Sequence, residues 1–296
     1  MKQHIFTGSA AALITPFSED TGKIDLREFE KLIGFQMEHK TDALVVAGTT
    51  GESPVLTNEE KNELFAAAVS LAGKKIPVIA GTGSNNTEEA VRKSNEAEKK
   101  GVDGLLIVTP FYNKCTQDGL LKHYFYIADR VSAPIIVYNV PSRTGMGIEP
   151  ETYRELAKHK NIAAVKEADT DMTRFMNTMS LCGNSLDFYS GSDELTAMMM
   201  SQGAVGVISV AANIIPGIMH KLTLNALAGR TNEAAYLQQK YLDLMNALFC
   251  EVNPIPVKAA WEIMTGTSMP LRLPLTEISE KNRQKVLEAM RKAKLI

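Results

Sequence analysis

The sequence predicts an α/β fold, a (β/α)8 TIM barrel with a C-terminal helical extension, and three observations lead there. Short apolar runs bounded by turn residues recur along the chain, and they are apolar at consecutive rather than alternate positions. That pattern belongs to strands covered on both faces, as in parallel sheets. Segments with helical periodicity separate the runs, so strand and helix alternate. No dinucleotide fingerprint and no sign of a reversal in strand order appears, which favours a closed barrel over an open doubly wound sheet. A length of 296 residues and 45% hydrophobic content suit one such barrel and a sizeable core.

Taken in order, the first strand is expected in "AAALIT" (10 to 15), and Asp25 then precedes the helical pattern "LREFEKLIGFQ". "ALVVAG" (43 to 48) is the second strand, followed by Thr57 with Glu60, the spacing of a capping box. "PVIAGT" (77 to 82) is the third, followed by a similar cap at Asn86 with Glu89. "GLLIVT" (104 to 109), "PIIVYN" (134 to 139), "IAAVKEA" (162 to 168), "LDFYSG" (186 to 191) and "GVISV" (206 to 210) complete the set. The rest is helical, with "NEAAYLQQKYLDLMNALFC" (232 to 250) the clearest stretch. The division expected is a catalytic barrel over 1–229 and a helical region over 230–296.

Composition excludes several functions. A net charge of -2 with interspersed signs, and no basic stripe with aromatics, argue against nucleic acid as a partner. The start lacks an apolar run of signal-peptide length, and "AVGVISVAANIIPGI" is interrupted by Asn213 and Pro216, so neither export nor a membrane span is expected and the cytoplasm is the expected location. Cys115, Cys182 and Cys250 are odd in number, far apart and without a CxxC pair, which reads as packing thiols. His4, His39, His123, His159 and His220 show no HExxH and no paired ligand spacing, so a metal is not expected. No Walker loop and no GxSxG elbow is present.

Barrel active sites lie at the C-terminal ends of the strands. Those ends are unusually polar here: Thr15, the "GTTGE" turn (Gly48 to Glu52), Thr82, Thr109, Tyr138 with Asn139, Lys166 with Glu167, "SGSDE" (190 to 194) and Ser209. Lys166 closes an apolar strand. Strand alternation places it on one face with Ala164 and Ile162, with Val165 and Glu167 on the other. Facing the barrel, its amine would be desolvated and its pKa lowered from a reference near ~10.4, which makes a neutral nucleophile for a carbonyl. The alternative is a solvated strand end, or a pair with Glu167, since lysines are almost never fully buried without a partner.

Tyr138 ends the preceding strand at the corresponding place, as a proton carrier or as an aromatic plug. "GTTGES" brings two hydroxyls and free backbone N–H groups into one turn that suits a carboxylate, although such turns also serve simply as connections. Arg143, in "YNVPSRTG" behind the stiffening Pro141, is either a solvated loop cation or a bidentate carboxylate grip.

"GTTGES", "VTPFYN", "VYNVPSRTG", "VKEA", "LDFYSGSDE", "GVISVAAN" and "NPIPVKAAW", in this order and across essentially the whole chain, resemble the dihydrodipicolinate synthase family of pyruvate-dependent class I aldolases. The resemblance implies a Schiff-base condensation of pyruvate with L-aspartate 4-semialdehyde on the route to diaminopimelate and lysine, with no metal or organic cofactor beyond the covalent pyruvate imine on Lys166. It implies Tyr138, Thr49 and Tyr112 as the proton relay, Tyr112 reaching across a subunit interface. It makes Thr50 the holder of the pyruvate carboxylate and Arg143 the holder of the semialdehyde's, with Gly191 and Ile208 around the imine. A homotetramer, a dimer of dimers, is implied as the assembly, with a dimer as the main alternative.

Asn85 and Glu89 match ligands of an inhibitory lysine in that family, but Asn58, Lys61 and Phe111 depart from the regulated pattern. Weak or absent inhibition by L-lysine is therefore expected. The rival within the superfamily is an N-acetylneuraminate lyase or a 2-keto-3-deoxy sugar acid aldolase, which shares the lysine and tyrosine. Arg143 in "PSRTG" suits a short acceptor ending in a carboxylate better than a sugar. A silent binding barrel is the rival from another class, and it predicts loss of Lys166, Tyr138 or the threonine pair, all of which are present.

Overall fold

The computed structural model describes residues 4–296. The barrel region expected from residue 1 thus begins with three residues outside that range. Strands β1 (Gly8–Ala12), β2 (Ala43–Val46), β3 (Val78–Gly81), β4 (Gly104–Val108), β5 (Ile135–Asn139), β6 (Ile162–Glu167), β7 (Asp187–Ser190) and β8 (Gly206–Ser209) form a closed parallel barrel in sequence order. The expected strands fall within two residues of these bounds except the first. β1 starts at Gly8 and ends at Ala12 because the chain then leaves the ladder: the Ile14 N–H turns to Asn213 Oδ1 at 3.1 Å.

The helices are α1 (Leu26–Glu38), α2 (Asn58–Ala72), α3 (Thr87–Glu98), α4 (Gln117–Ala128), α5 (Pro141–Thr144), α6 (Pro150–Leu156), α7 (Met172–Cys182), α8 (Thr196–Ser201) and α9 (Pro216–Leu227). The caps read from sequence are in place. Asp25 accepts from the N–H groups of Arg27 and Glu28, and Thr57 and Glu60 bond reciprocally. Asn86 accepts from the Glu89 N–H. Each satisfies orphan donors of a first turn.

Every strand is buried on both faces, and the two faces have separate roles. Leu44, Val46, Ile107, Val137, Val165 and Phe188 point outward into the layer shared with the helices. Ala10, Ala12, Ala43, Val45, Ile79, Leu106, Ile136, Ala164 and Ile208 fill the barrel itself. Phe6 stacks on Tyr189 with ring centres 4.1 Å apart, and the Tyr189 hydroxyl donates to the Phe6 carbonyl at 2.8 Å.

One expectation is corrected here. Ile162 does not share the face of Lys166. The β5–β6 register pairs Ile135 with Ile162 but Ile136 with Ala164, so Ala163 is an extra residue, a bulge. Ile162 therefore packs outward with Ile135, while Ala164 points inward with Ile136. Above the bulge, plain alternation resumes and aims Lys166 inward.

Three further helices follow the barrel: α10 (Thr231–Ala247), α11 (Ile255–Thr265) and α12 (Glu280–Lys292). α10 packs on α9 and α8, and α12 packs across α10 and α11. α11 docks on the barrel through buried polar contacts as well as apolar ones. The Trp261 indole N–H donates to Glu28 Oε1 on α1 at 3.0 Å. No helix among the described residues is long and apolar enough to cross a membrane.

Candidate active site

Lys166 and Tyr138 are paired residues of the β5–β6 ladder, near the C-terminal ends of their strands. The lysine is 5% exposed, and its Nζ lies 4.5 Å from the centre of the Tyr138 ring. No ion pair or hydrogen bond holds the amine among the described residues. Burial lowers its pKa to about 8, with a partial opposing pull from the carboxylate of Asp193 and a small further push down from Arg143. Roughly a tenth of the amine is then neutral at pH 7, against under roughly one in a thousand for a free lysine. The pairing with Glu167 is absent, because Glu167 points the other way. Its carboxylate accepts from Asn139 Nδ2 at 2.8 Å and the Tyr153 hydroxyl at 2.6 Å, outside the barrel.

Burial raises the pKa of Tyr138, offset in part by the Arg143 guanidinium and by a hydrogen bond with Thr49. The phenol therefore stays protonated across the physiological range, as an acid beside the amine requires.

The threonine turn leaves β2 through a backbone that only a firm scaffold sustains. Ala47 and Glu52, on either side of Gly48 to Gly51, have φ of 52° and 56°. Left-handed conformations cost non-glycine residues of order 1–3 kcal/mol. Glu52 is held by Lys258 of α11, whose Nζ lies 2.5 Å from Glu52 Oε1, and both side chains are 1% exposed. Lys258 Nζ also donates to the Pro270 carbonyl at 2.7 Å, and the Arg272 N–H donates to Glu52 Oε2 at 3.1 Å. Two residues earlier in the turn, Thr50 Oγ1 accepts from Asn253 Nδ2 at 3.0 Å. Arg143, on the one-turn helix α5 behind Pro141, donates from Nη2 to the Asn253 carbonyl at 3.2 Å. One short segment ahead of α11 thus touches both Thr50 and Arg143.

Gly191 follows β7, and its N–H donates to the Glu167 carbonyl at 2.6 Å. A Cβ there would come within 2.7 Å of Ala168 Cβ and 2.9 Å of the Glu167 oxygen, so only glycine lets β7 pass this close to the end of β6. Ile208 is fully buried in the barrel interior. Tyr112 is not brought to Lys166 by its own chain. It has φ of 68° and is 93% exposed, a ring held out into solvent from a strained position. Of the remaining polar strand ends, Thr15, Thr82 and Ser190 are held by local hydrogen bonds, while the Thr109 hydroxyl is buried without a partner among the described residues. Thr15 donates to the Gly51 carbonyl, Thr82 pairs with Ser94, and Ser190 donates to the Ser192 carbonyl.

Asn85 donates to the Phe111 carbonyl, and Glu89 is engaged by Arg92 and Lys93. Lys61 is 7% exposed, and burial together with repulsion from Lys93 lowers its pKa to about 8. A cavity of about 300 Å³ joins this region to the site, with Thr49, Tyr138 and Arg143 on one side and Lys61, Lys93 and Phe111 on the other. Lys166 and Thr50 are not on its wall. Lys166 lies against the ring of the tyrosine that is.

Three residues of this arrangement carried no role in the sequence reading. Asp193 lay in the polar stretch after β7 but is revealed as the opposite charge acting on Lys166 only by the fold, where its Oδ2 accepts from the N–H groups of Val210 and Ala211 at 3.0 and 2.8 Å. Asn253 and Lys258 fall in "NPIPVKAAW", and no local periodicity shows that this segment reaches the barrel mouth.

A family model described as the dihydrodipicolinate synthetase family matches residues 5–293. The chain is 47% identical over 278 residues to the 4-hydroxy-tetrahydrodipicolinate synthase 1 of Clostridium acetobutylicum, covering 94% of each. It is 47% identical over 292 residues to the 4-hydroxy-tetrahydrodipicolinate synthase of Trichlorobacter lovleyi, covering 99% of this chain and all of that one. Among solved structures, the chloride-inhibited dihydrodipicolinate synthase of Acinetobacter baumannii complexed with pyruvate superposes with a TM-score of 0.96 at 41% identity, over 98% of this chain and 99% of that one.

Proposed function

Because the chain belongs to the dihydrodipicolinate synthetase family, we propose that it is a 4-hydroxy-tetrahydrodipicolinate synthase, a lyase that condenses pyruvate with L-aspartate 4-semialdehyde through a Schiff base on Lys166. The observation that carries the reading is the unpaired, buried Lys166 amine against the ring of Tyr138.

The neutral amine attacks C2 of pyruvate, and the carbinolamine loses water to give the imine. Loss of a proton from the methyl group gives the enamine, whose carbon attacks the aldehyde of the semialdehyde. The semialdehyde's own amine then closes the ring on C2 and releases Lys166. Tyr138 delivers and collects the protons, and its bond to Thr49 supports a relay away from the reacting carbon. Tyr112 belongs to that relay in a neighbouring subunit, a role that its exposed ring on a strained backbone supports. Thr50 holds the pyruvate carboxylate and Arg143 the semialdehyde's, while Gly191 and Ile208 bound the imine. The groups for each step come from side chains, so the reading needs no metal or organic cofactor. It makes the enzyme a cytoplasmic homotetramer, a dimer of dimers.

Borohydride with pyruvate tests the mechanism: one reduced pyruvate should appear on the peptide containing Lys166, and an unmodified lysine overturns it. The acceptor is tested by a coupled assay of aspartate semialdehyde against N-acetylmannosamine and glyceraldehyde. Arg143 favours the first, since a guanidinium at the site mouth pairs bidentately with the semialdehyde's carboxylate and finds no such partner on a sugar aldehyde. Faster turnover of either sugar aldehyde would establish the rival aldolase.

A further inference from the structure

The hydrogen bond between Asn253 and Thr50 has a direction, and the direction matters. Asn253 is 6% exposed, and among the described residues its side chain makes one hydrogen bond, from Nδ2 to Thr50 Oγ1 at 3.0 Å, with Oδ1 buried and without a partner. An amide nitrogen can only donate, so the threonine oxygen accepts. Thr50 is 3% exposed, and its own hydroxyl proton has no acceptor among the described residues. A buried hydroxyl proton without an acceptor is costly in the free protein and is oriented for a ligand that supplies one.

The same residue acts a second time through its backbone, where the Asn253 carbonyl accepts from Arg143 Nη2 at 3.2 Å. Asn253 therefore bonds to both groups assigned to substrate carboxylates, Thr50 on the loop after β2 and Arg143 on the loop after β5. Its position is fixed by α11, which is anchored by the Lys258–Glu52 pair at the end of the threonine turn.

We propose that Asn253 is a positioning residue that sets the polarity of the carboxylate site: by donating to Thr50 Oγ1 it forces the threonine to present its proton to the carboxylate of pyruvate. The inference rests on the assignment of Thr50 to that carboxylate. It adds that an amide, and not merely a side chain of this shape, is required at position 253. Asn253→Asp keeps the shape and reverses the chemistry. The aspartate would take the Thr50 proton and place a negative charge beside the substrate's own.

The test is steady-state kinetics of full-length Asn253→Asp and Asn253→Ala. Asn253→Asp should raise KM for pyruvate on the order of a hundredfold, and Asn253→Ala by only about five- to tenfold, with kcat much less affected in both. A purely structural role predicts the reverse order, because aspartate is the closer fit. If Asn253→Asp binds pyruvate as well as Asn253→Ala, the proposal is overturned. Should Asn253→Asp fail to fold, a cycle of Thr50→Val and Asn253→Ala decides: the second change should add almost nothing to KM once Thr50 has lost its hydroxyl, and independent effects would overturn the proposal. Borohydride labelling of Lys166 titrated across pyruvate concentrations, from well below to above the wild-type KM, separates the two readings. Labelling in wild type with no difference between the variants removes the role of Asn253 alone, whereas no labelling in wild type removes the Schiff-base reading itself.

Discussion

Lys166 and Tyr138 are register partners across the β5–β6 ladder, and the lysine amine lies 4.5 Å from the centre of the tyrosine ring. The contact arises from two strands whose ends are level and whose last inward residues face each other. Burial that lowers the lysine pKa and raises that of the tyrosine leaves both groups uncharged over a shared range, a base and an acid side by side.

The first prediction concerns that amine. Only its neutral form attacks pyruvate, so the rate of borohydride-trapped imine formation should rise as pH increases through about 8. The Asp193 carboxylate raises the pKa, so Asp193→Asn should move the inflection to lower pH. A pH profile unchanged in Asp193→Asn would show that the two charges do not communicate.

Ala164 sits inside the barrel two residues before Lys166 and is fully buried. Ala164→Leu should lower pyruvate turnover by filling the space beneath the imine, at a stability cost of about 1–3 kcal/mol for overpacking. Urea denaturation measures the second effect and single-turnover trapping the first. Normal trapping in a folded Ala164→Leu enzyme would mean that the imine lies elsewhere.

The Glu52–Lys258 pair predicts a pattern in stability. Lys258→Met alone leaves a buried carboxylate unpaired and should cost about 3–5 kcal/mol. The double variant Glu52→Gln with Lys258→Met should recover most of that loss, as read by urea midpoints. Equal damage in both would assign the role to shape rather than charge.

Glu167 makes stability depend on pH in an unusual direction for a carboxylate. Burial raises its pKa from 4.5 to about 7, against the hydrogen bonds from Tyr153 and Asn139. Between those values the folded protein binds more protons than the unfolded chain, so this group's contribution is complete below about 4.5 and is lost as pH rises through 7. The slope approaches about 1.4 kcal/mol per pH unit for one proton. Glu167→Gln should flatten the stability curve in that window, and an identical slope in wild type and variant would refute the assignment.

Glu89, which the resemblance matches to an inhibitory-lysine ligand, is already bonded through its carboxylate by Arg92 at 2.7 and 2.8 Å, and Lys61 and Lys93 line the neighbouring cavity. L-lysine at sub-millimolar concentration should leave more than half of the activity. Half-inhibition there would show that these cations yield to the ligand.

The barrel was legible because its signals are local. Two-sided apolar strands, the caps at Asp25, Thr57 and Asn86, and the polarity of the strand ends each occupy a few neighbouring residues. Lys166, Tyr138, Thr49, Thr50 and Arg143 could be picked out for the same reason, since each ends a strand or follows one. Asn253 was not legible as a site residue, because what gives it meaning is a partner two hundred positions away in sequence. Ile162 was assigned to the wrong face because a bulge breaks alternation without any local mark: Ala163 looks like any other small strand residue.

That extra alanine has a consequence for how the strand can change. Strand faces behave as a phase of period two, and Ala163 is a slip of one step between the lower and upper halves of β6. Ile162 keeps the phase required by the helices outside, and Lys166 the phase required by the chemistry inside. Losing Ala163 would erase the slip and leave both residues facing as they do now. Losing a second residue between Ile162 and Lys166 would invert the upper half, sending the amine into the helix layer and the Glu167 carboxylate into the barrel.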